Sequence, residues 1–427
     1  MNELALLGGE PLIKKPLKPY ISLGDEEINA VDEVMKTGKI SGFVGAWCDE
    51  FNGGPKIQEL ENAWSNYFGV EHSISVNSNT SGLIAALGAS EISPGDEVII
   101  PAWSMSATAI APIFYGAIPV FADIDEDYFC INPQSVRKNI TNKTKAIIAV
   151  NLFGHPAQLH ELKKIAENNN LVLIEDNAQA PLAKEDGIYS GLIGDIGVFS
   201  LNYHKHIHTG EGGICTTGSD ELAFRIKAIR NHGENIVDEV GIENITNLIG
   251  YNFRMTELSA AIGLCQLSKA SNLISKRIEI ASRMSKEISE LPGFTVPKIR
   301  KNCSHVYYVW AAKFNEELVG VSRELFAMAL EAEGCPISIG YVEPLYYLPV
   351  FKKKIAIGSQ GFPFNLTNRE YHSGLCPVTE SLYRKELIEL HVCSYQLDGN
   401  DLKKVIDAYK KVYELKDELR RNNKTEL

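Results

Sequence analysis

The chain has 427 residues, 44% of them hydrophobic and 22% charged, with a formal net charge of -12. That length suits one large α/β domain with a smaller companion, and the acidic balance argues against a nucleic-acid partner, which needs a basic face to neutralise phosphates. A small anion held by backbone amides stays open. The eight cysteines are scattered without a C-x-x-C pair, which is neither metal-ligand spacing nor a disulfide scaffold. Reduced thiols in a cytoplasmic protein are the expectation. The first residues, MNELALLGGEPLIKKP, lack the apolar core of a signal peptide, and no apolar run has the length of a membrane span, so no membrane partner is expected.

In chain order, residues 25–37 (DEEINAVDEVMKT) space their apolar positions like an amphipathic helix. The following GKISGFVGAWCDEFNGGP is rich in glycine and aromatics and reads as a long, functional loop. From about Glu71 the pattern alternates. HSISV, DEVIIP, IPVFADI, KAIIAVNLF and LVLIED read as strands, and LIAALGA, SATAIAPIFYG and HELKKIAENNN as helices between them. Such alternation predicts a mostly parallel sheet flanked by helices. IGVFSL and GGICTT suggest a further strand pair. A long helical stretch begins at Met255, followed by HVYYVWAAKF as a strand, RELFAMALEAEG as a helix and a terminal helix from Asp401. The expected division is residues 1–274, an N-terminal segment with the large domain, and 275–427, a smaller α+β domain. The tail RRNNKTEL is expected to fray.

Ligands of parallel α/β sheets gather at the carboxyl ends of strands. Three such ends carry chemistry here. The first, from Val76 to Gly82, joins a strand to a helix; free N–H groups and hydroxyls there fit a phosphate, or the serine and asparagine simply cap the helix. The second ends in Glu175-Asp176 and continues to Gln179. A buried acid needs a partner, and a protonated ring nitrogen would be one; a helix cap is the plainer reading of the aspartate. The third places Lys205 among His204, His206 and His208, five residues after Ser200 and ahead of a glycine-rich turn. A lysine amine forms imines with aldehydes, although a lone lysine is usually a solvated charge. On an extended backbone the three histidines share one face, which suits an active-site lining better than a metal, because Lys205 interrupts them and no acid or cysteine completes a ligand set.

Taken together these segments resemble the DegT/DnrJ/EryC1/StrS aminotransferases. The family's E-D-x-A-Q-A reads here Glu175 to Ala180, its G-x-x-G-D-x-G-x-F-S reads Gly191 to Ser200, and Lys205 is followed by Gly210-Glu211-Gly212-Gly213. Gly250-Tyr251-Asn252-Phe253-Arg254-Met255 matches G-Y-N-x-R-M, and Gly8-Gly9-Glu10-Pro11 and Arg230-Asn231-His232-Gly233 fit as well. The resemblance implies a fold type I enzyme using pyridoxal 5'-phosphate, with Lys205 forming the Schiff base and moving the proton. It further implies Asp176 on the pyridinium, Gln179 on the phenolic oxygen, and Ser200, Asn79 and Thr80 on the phosphate. Asn252 would reach the phosphate of a neighbouring subunit, so a homodimer with shared sites is expected.

The phosphate loop has Asn79 where the common form has glycine, and asparagine tolerates a left-handed backbone better than most residues. Met105 stands where an aromatic usually stacks on the cofactor ring; Met105 or nearby Trp103 is expected there. Asn202, His204, Arg254 and Tyr341 are the expected substrate contacts. The segment from Gly340 to Tyr346 is similar to the branch acting on cyclitol ketones. The implied reaction moves an amino group from L-glutamate or L-glutamine to a keto sugar, nucleotide-linked. The alternatives are a cyclitol ketone as acceptor, a sugar dehydratase, and a cofactor-binding protein without turnover. Family dehydratases carry histidine in place of the lysine, so Lys205 speaks against that reading.

Overall fold

The computed structural model describes residues 3–423. The apolar runs form strands β1 (His72–Val76), β2 (Glu97–Pro101), β3 (Ile118–Ala122), β4 (Thr144–Val150) and β5 (Val172–Asp176). A two-residue hairpin follows, β6 (Lys184–Glu185) and β7 (Ile188–Tyr189), and then β8 (Ile196–Ser200) and β9 (Gly213–Thr217). Seven of these make one sheet in the order β1-β9-β8-β5-β4-β2-β3. Neighbours are parallel except at β9, which runs against both β8 and β1. Both faces are covered, which is why these strands read as nearly unbroken apolar runs. Alternate residues divide between two cores: Val98, Ile100 and Ile148 pack on one side with the helix Asn79–Ala89. Ile99, Ile147 and Leu173 pack on the other with the helix Leu159–Asn168.

The helix Glu257–Ile288 links this sheet to the rest of the chain. Its first half (Ala260, Leu267, Ala270) packs with Trp64, Phe68 and Phe199, and its second half (Ile280, Met284, Ile288) joins a separate core. That core covers a four-stranded antiparallel sheet, β10 (Phe294–Thr295), β11 (Trp310–Phe314), β12 (Ser338–Ile339) and β13 (Leu387–Leu390), in the order β10-β11-β13-β12. Leu4 and Ile13 from the start of the chain pack there too. The architecture is the expected one, a large mostly parallel sheet flanked by helices and a smaller α+β unit.

Several local expectations change. The helices Pro55–Phe68 and Asp220–Arg230 were not marked by the sequence pattern. Only the second half of HVYYVWAAKF is a strand. Residues 305–309 run instead along the turn that follows β4, with Tyr307 at φ 53° and the Val306 N–H donating to the Gly154 carbonyl at 2.9 Å. That path brings the Tyr308 ring to Lys205, in the turn after β8. The tail is helical as far as it is described, in Lys416–Asn423; the remainder of the predicted fray, 424–427, lies outside the described residues.

The long loop 38–55 is anchored: the Asn231 amide donates to the Val44 and Phe51 carbonyls, and Phe51 is fully buried.

The end of β5 is packed against backbone. A Cβ on Gly197 in β8 would lie 1.9 Å from the Gly191 carbonyl oxygen. Gly197→Ala is therefore expected to cost about 3 kcal/mol in urea-unfolding stability, since the obstacle is main chain that cannot rotate away. A change under about 0.5 kcal/mol would contradict this packing.

Candidate active site

A cleft of about 170 Å³ opens at the carboxyl ends of β1, β4, β5 and β8. Its walls include Ser78, Asn79 and Thr80 on one side, Asp176 and Gln179 beneath, and Ser200, Asn202, His204 and Lys205 opposite, with Met105 at the rim. The structure thus gathers eight of the sequence-predicted residues: Asn79, Thr80, Met105, Asp176, Gln179, Ser200, Asn202 and His204, around Lys205.

Two adjacent acids end β5, and strand alternation sends them to opposite sides. Glu175 is fully buried away from the cleft. Its carboxylate accepts the N–H groups of Gly191 (2.6 Å), Ile193 (2.8 Å) and Gly194 (2.6 Å) and the Asn151 amide (3.2 Å). These donors offset the burial that raises its pKa. Asp195 in the same turn accepts the Leu173 N–H at 2.8 Å and pairs with Lys163. The G-x-x-G-D segment is therefore the clamp that holds β5. Sequence reasoning missed this role of Glu175; the signal was a glutamate preceding the functional aspartate in an otherwise apolar strand.

Asp176 faces the cleft. Burial raises its pKa, opposed by the Ala178 N–H (3.2 Å), the Thr108 hydroxyl (3.0 Å), the nearby Lys205 and the Asn79 amide (3.3 Å). Gln179 is oriented by the Phe153 N–H, which donates to Oε1 at 2.8 Å, and its Nε2 donates to the Tyr341 hydroxyl at 3.0 Å. Tyr341, at φ 55°, packs edge-on against Trp103 and Phe153. Trp103 is fully buried and donates to the Val342 carbonyl at 2.7 Å, so it belongs to the core and Met105 is the residue on the cleft wall.

The phosphate-loop expectation needs one correction. Asn79 is the first residue of the right-handed helix Asn79–Ala89 and takes no left-handed conformation. The cap is Ser78, whose hydroxyl accepts the Ser81 N–H at 3.1 Å. That leaves the N–H groups of Asn79 and Thr80 without a protein acceptor among the described residues, facing the cleft at the positive end of the helix dipole. The turn is approached by β9: a Cβ on Gly213 would sit 2.7 Å from the Ser78 carbonyl carbon and 2.9 Å from the Asn79 nitrogen. The last glycine of G-E-G-G, Gly213, is what allows this approach.

Lys205 is 8% exposed, and its burial pushes the ammonium pKa down to about 8 against the opposing pull of Asp176. Its Nζ lies 4.2 Å from the centre of the Tyr308 ring, a contact the sequence did not announce. The segment around it is a turn closed by the Lys205 N–H on the Asn202 carbonyl at 3.0 Å, not an extended strand. The three histidines consequently do not share a role. His204 lines the cleft and is held neutral by desolvation and Lys205, its pKa lowered to about 4. His206 is fully buried on the Val306 carbonyl at 2.9 Å, and His208 lies outside the cleft wall. Among the described residues no group of histidine, cysteine and acidic side chains has metal-binding geometry.

Asn252 and Arg254 do not enter the cleft of their own chain. Arg254 Nε donates to Asn252 Oδ1 at 2.8 Å and its Nη1 to Asn231 Oδ1 at 3.2 Å.

Residues 22–410 match the model of the DegT/DnrJ/EryC1/StrS aminotransferase family. GDP-perosamine synthase of Escherichia coli O157:H7 is 37% identical over 276 residues, covering 64% of this chain and 74% of that protein. The L-glutamine:2-deoxy-scyllo-inosose aminotransferase of Streptoalloteichus tenebrarius is 31% identical over 435 residues, covering 98% and 99%. The solved structure of DesI in the presence of its TDP-sugar product superposes with a TM-score of 0.82 at 26% identity, covering 99% of each chain. The buried lysine and aspartate, and a helix N-terminus with free amides across the cleft, fit the cofactor of that group. The chain belongs to the DegT/DnrJ/EryC1/StrS aminotransferase family and is a pyridoxal-phosphate-dependent aminotransferase.

Proposed function

We propose that the chain transfers an amino group from L-glutamate or L-glutamine to the keto carbon of a nucleotide-linked sugar in amino-sugar or glycan biosynthesis. The observation that carries this reading is the placement of Lys205, Asp176 and the free amides of Asn79 and Thr80 around one small cleft. Pyridoxal phosphate bound there supplies an electron sink and carries nitrogen between the two half-reactions. Thr80, Ser200 and the amides of Asn79 and Thr80 would hold its phosphate, Asp176 its ring nitrogen, Gln179 its phenolic oxygen and Met105 its ring. Lys205 would supply the neutral amine that holds the cofactor and would serve as the acid/base for the proton at the reacting carbon, a task eased by a pKa of about 8. Asn202, His204 and Tyr341 border the acceptor. The sugar is supported by the relatives named for a GDP-linked sugar and a TDP-sugar product.

A second reading, a cyclitol ketone as acceptor with L-glutamine as donor, is favoured by the near-complete coverage of the inosose aminotransferase. A homodimer with Asn252 and Arg254 completing the partner's site accords with their exclusion from their own cleft. It also accords with the exposed Ile249 beside them and with Ile21, Ile28 and Met35 on the surface. A cytoplasmic location accords with the absence, among the described residues, of any helix long and apolar enough to cross a membrane.

Lys205→Ala should abolish the visible absorbance of the covalently held cofactor and the half-reaction with glutamate; retention of both would sink the assignment. In the cofactor-free protein, capture of pyridoxal phosphate should quicken with pH and level off above about 8, because the attacking form is the neutral amine. A profile still rising steeply at pH 10 would show an ordinary exposed lysine. Presenting the pyridoxamine form with GDP- and TDP-linked keto sugars and with free inosose separates the two acceptors by which returns the original spectrum. Sedimentation should give twice the 47.2 kDa chain mass, and a monomer at micromolar concentration would remove the shared-site reading.

A further inference from the structure

Asn79 does more than begin a helix. Its backbone faces the phosphate end of the cleft, but its side chain reaches to the other end. The amide Nδ2 donates to Asp176 Oδ1 at 3.3 Å and to the Val198 carbonyl of β8 at 3.2 Å, so both of its hydrogens are used and the carboxamide is fixed in direction. Asp176 therefore receives Asn79 and the Ala178 N–H on one oxygen and the Thr108 hydroxyl on the other. A glycine at position 79, the common form, has no side chain to do this.

We infer that Asn79 is a positioning residue that acts through Asp176, holding it as a carboxylate so that the proton shared with the cofactor's ring nitrogen stays on nitrogen. This rests on the reading that the ring nitrogen lies at Asp176. The reason is a competition between two bases. Burial strengthens Asp176 as a base, and each donor to its oxygens weakens it. Lys205, from the turn after β8, and Tyr341, from the segment between β12 and β13, also act on Asp176; burial holds Tyr341 neutral. Removing the Asn79 donor makes Asp176 the stronger base and draws the proton off the ring, which is then a poorer electron sink. A donor to a charged group of this kind shifts such a balance by about one pH unit.

The test is 15N NMR of holoenzyme carrying pyridoxal phosphate labelled at the ring nitrogen, followed against pH in wild type, Asn79→Ala, Asn79→Gly and Thr80→Ala. The wild-type nitrogen should lose its protonated signature at a higher pH than either Asn79 variant. Both Asn79 variants should lose it about one pH unit lower. Thr80→Ala, which alters only the phosphate end, should weaken cofactor binding and leave the titration in place. Coincident titrations in wild type and both Asn79 variants would overturn the inference, as would an equal shift in Thr80→Ala. A wild-type nitrogen that is neutral throughout, or a protein that binds no cofactor, would overturn the underlying reading instead.

Discussion

Burying two neighbouring carboxylates at the end of β5 is the constraint on which the site depends. Neither is tolerable in an apolar sheet without donors. Because adjacent side chains leave a strand on opposite faces, the two acids recruit different parts of the chain. Glu175 collects the amides of Gly191, Ile193 and Gly194 and fixes the turn that leads into β8. Asp176 collects Thr108, Ala178 and Asn79 and remains open to the cleft. One acid builds the frame and the other serves it.

From that frame the rest of the site follows. β8, held by the clamp, delivers Ser200 and then the turn with Lys205. β9 returns antiparallel, and its first residue, Gly213, pairs with both Ser200 and Val76. This puts the lysine-bearing turn and the helix N-terminus on two sides of one narrow space. Lys205 is buried there, with its Nζ against the ring of Tyr308, which comes from far along the chain. Desolvation costs the ammonium more than the neutral amine, which lowers the pKa of this side chain to about 8.

The legible parts of the sequence were those governed by local rules. Apolar runs and their spacing located β1 to β5, β8 and β9. The ordered motifs located Asp176, Gln179, Ser200 and Lys205, and the structure brings these four into one cleft. The misread parts depended on distant partners. Three alternating histidines suggested a face only on the premise of an extended backbone; the chain turns there, and His206 is spent on Val306. Trp103 was a candidate for a ring-facing role by proximity in sequence, but its indole N–H has a backbone acceptor 239 positions away. Thr108 and Tyr308 carried no local signal at all.

The sequence by itself determined the sheet, the order of the motifs and, through their resemblance to a family, the kind of chemistry. These are set by periodicity and by residue types that few other arrangements require. Only the tertiary structure decided what surrounds each group: that Glu175 is a clamp, that Asn79 turns its amide to Asp176, and that Lys205 is dry. The reason is that pKa and hydrogen-bonding depend on what lies within a few ångströms, and most of those neighbours are far away along the chain.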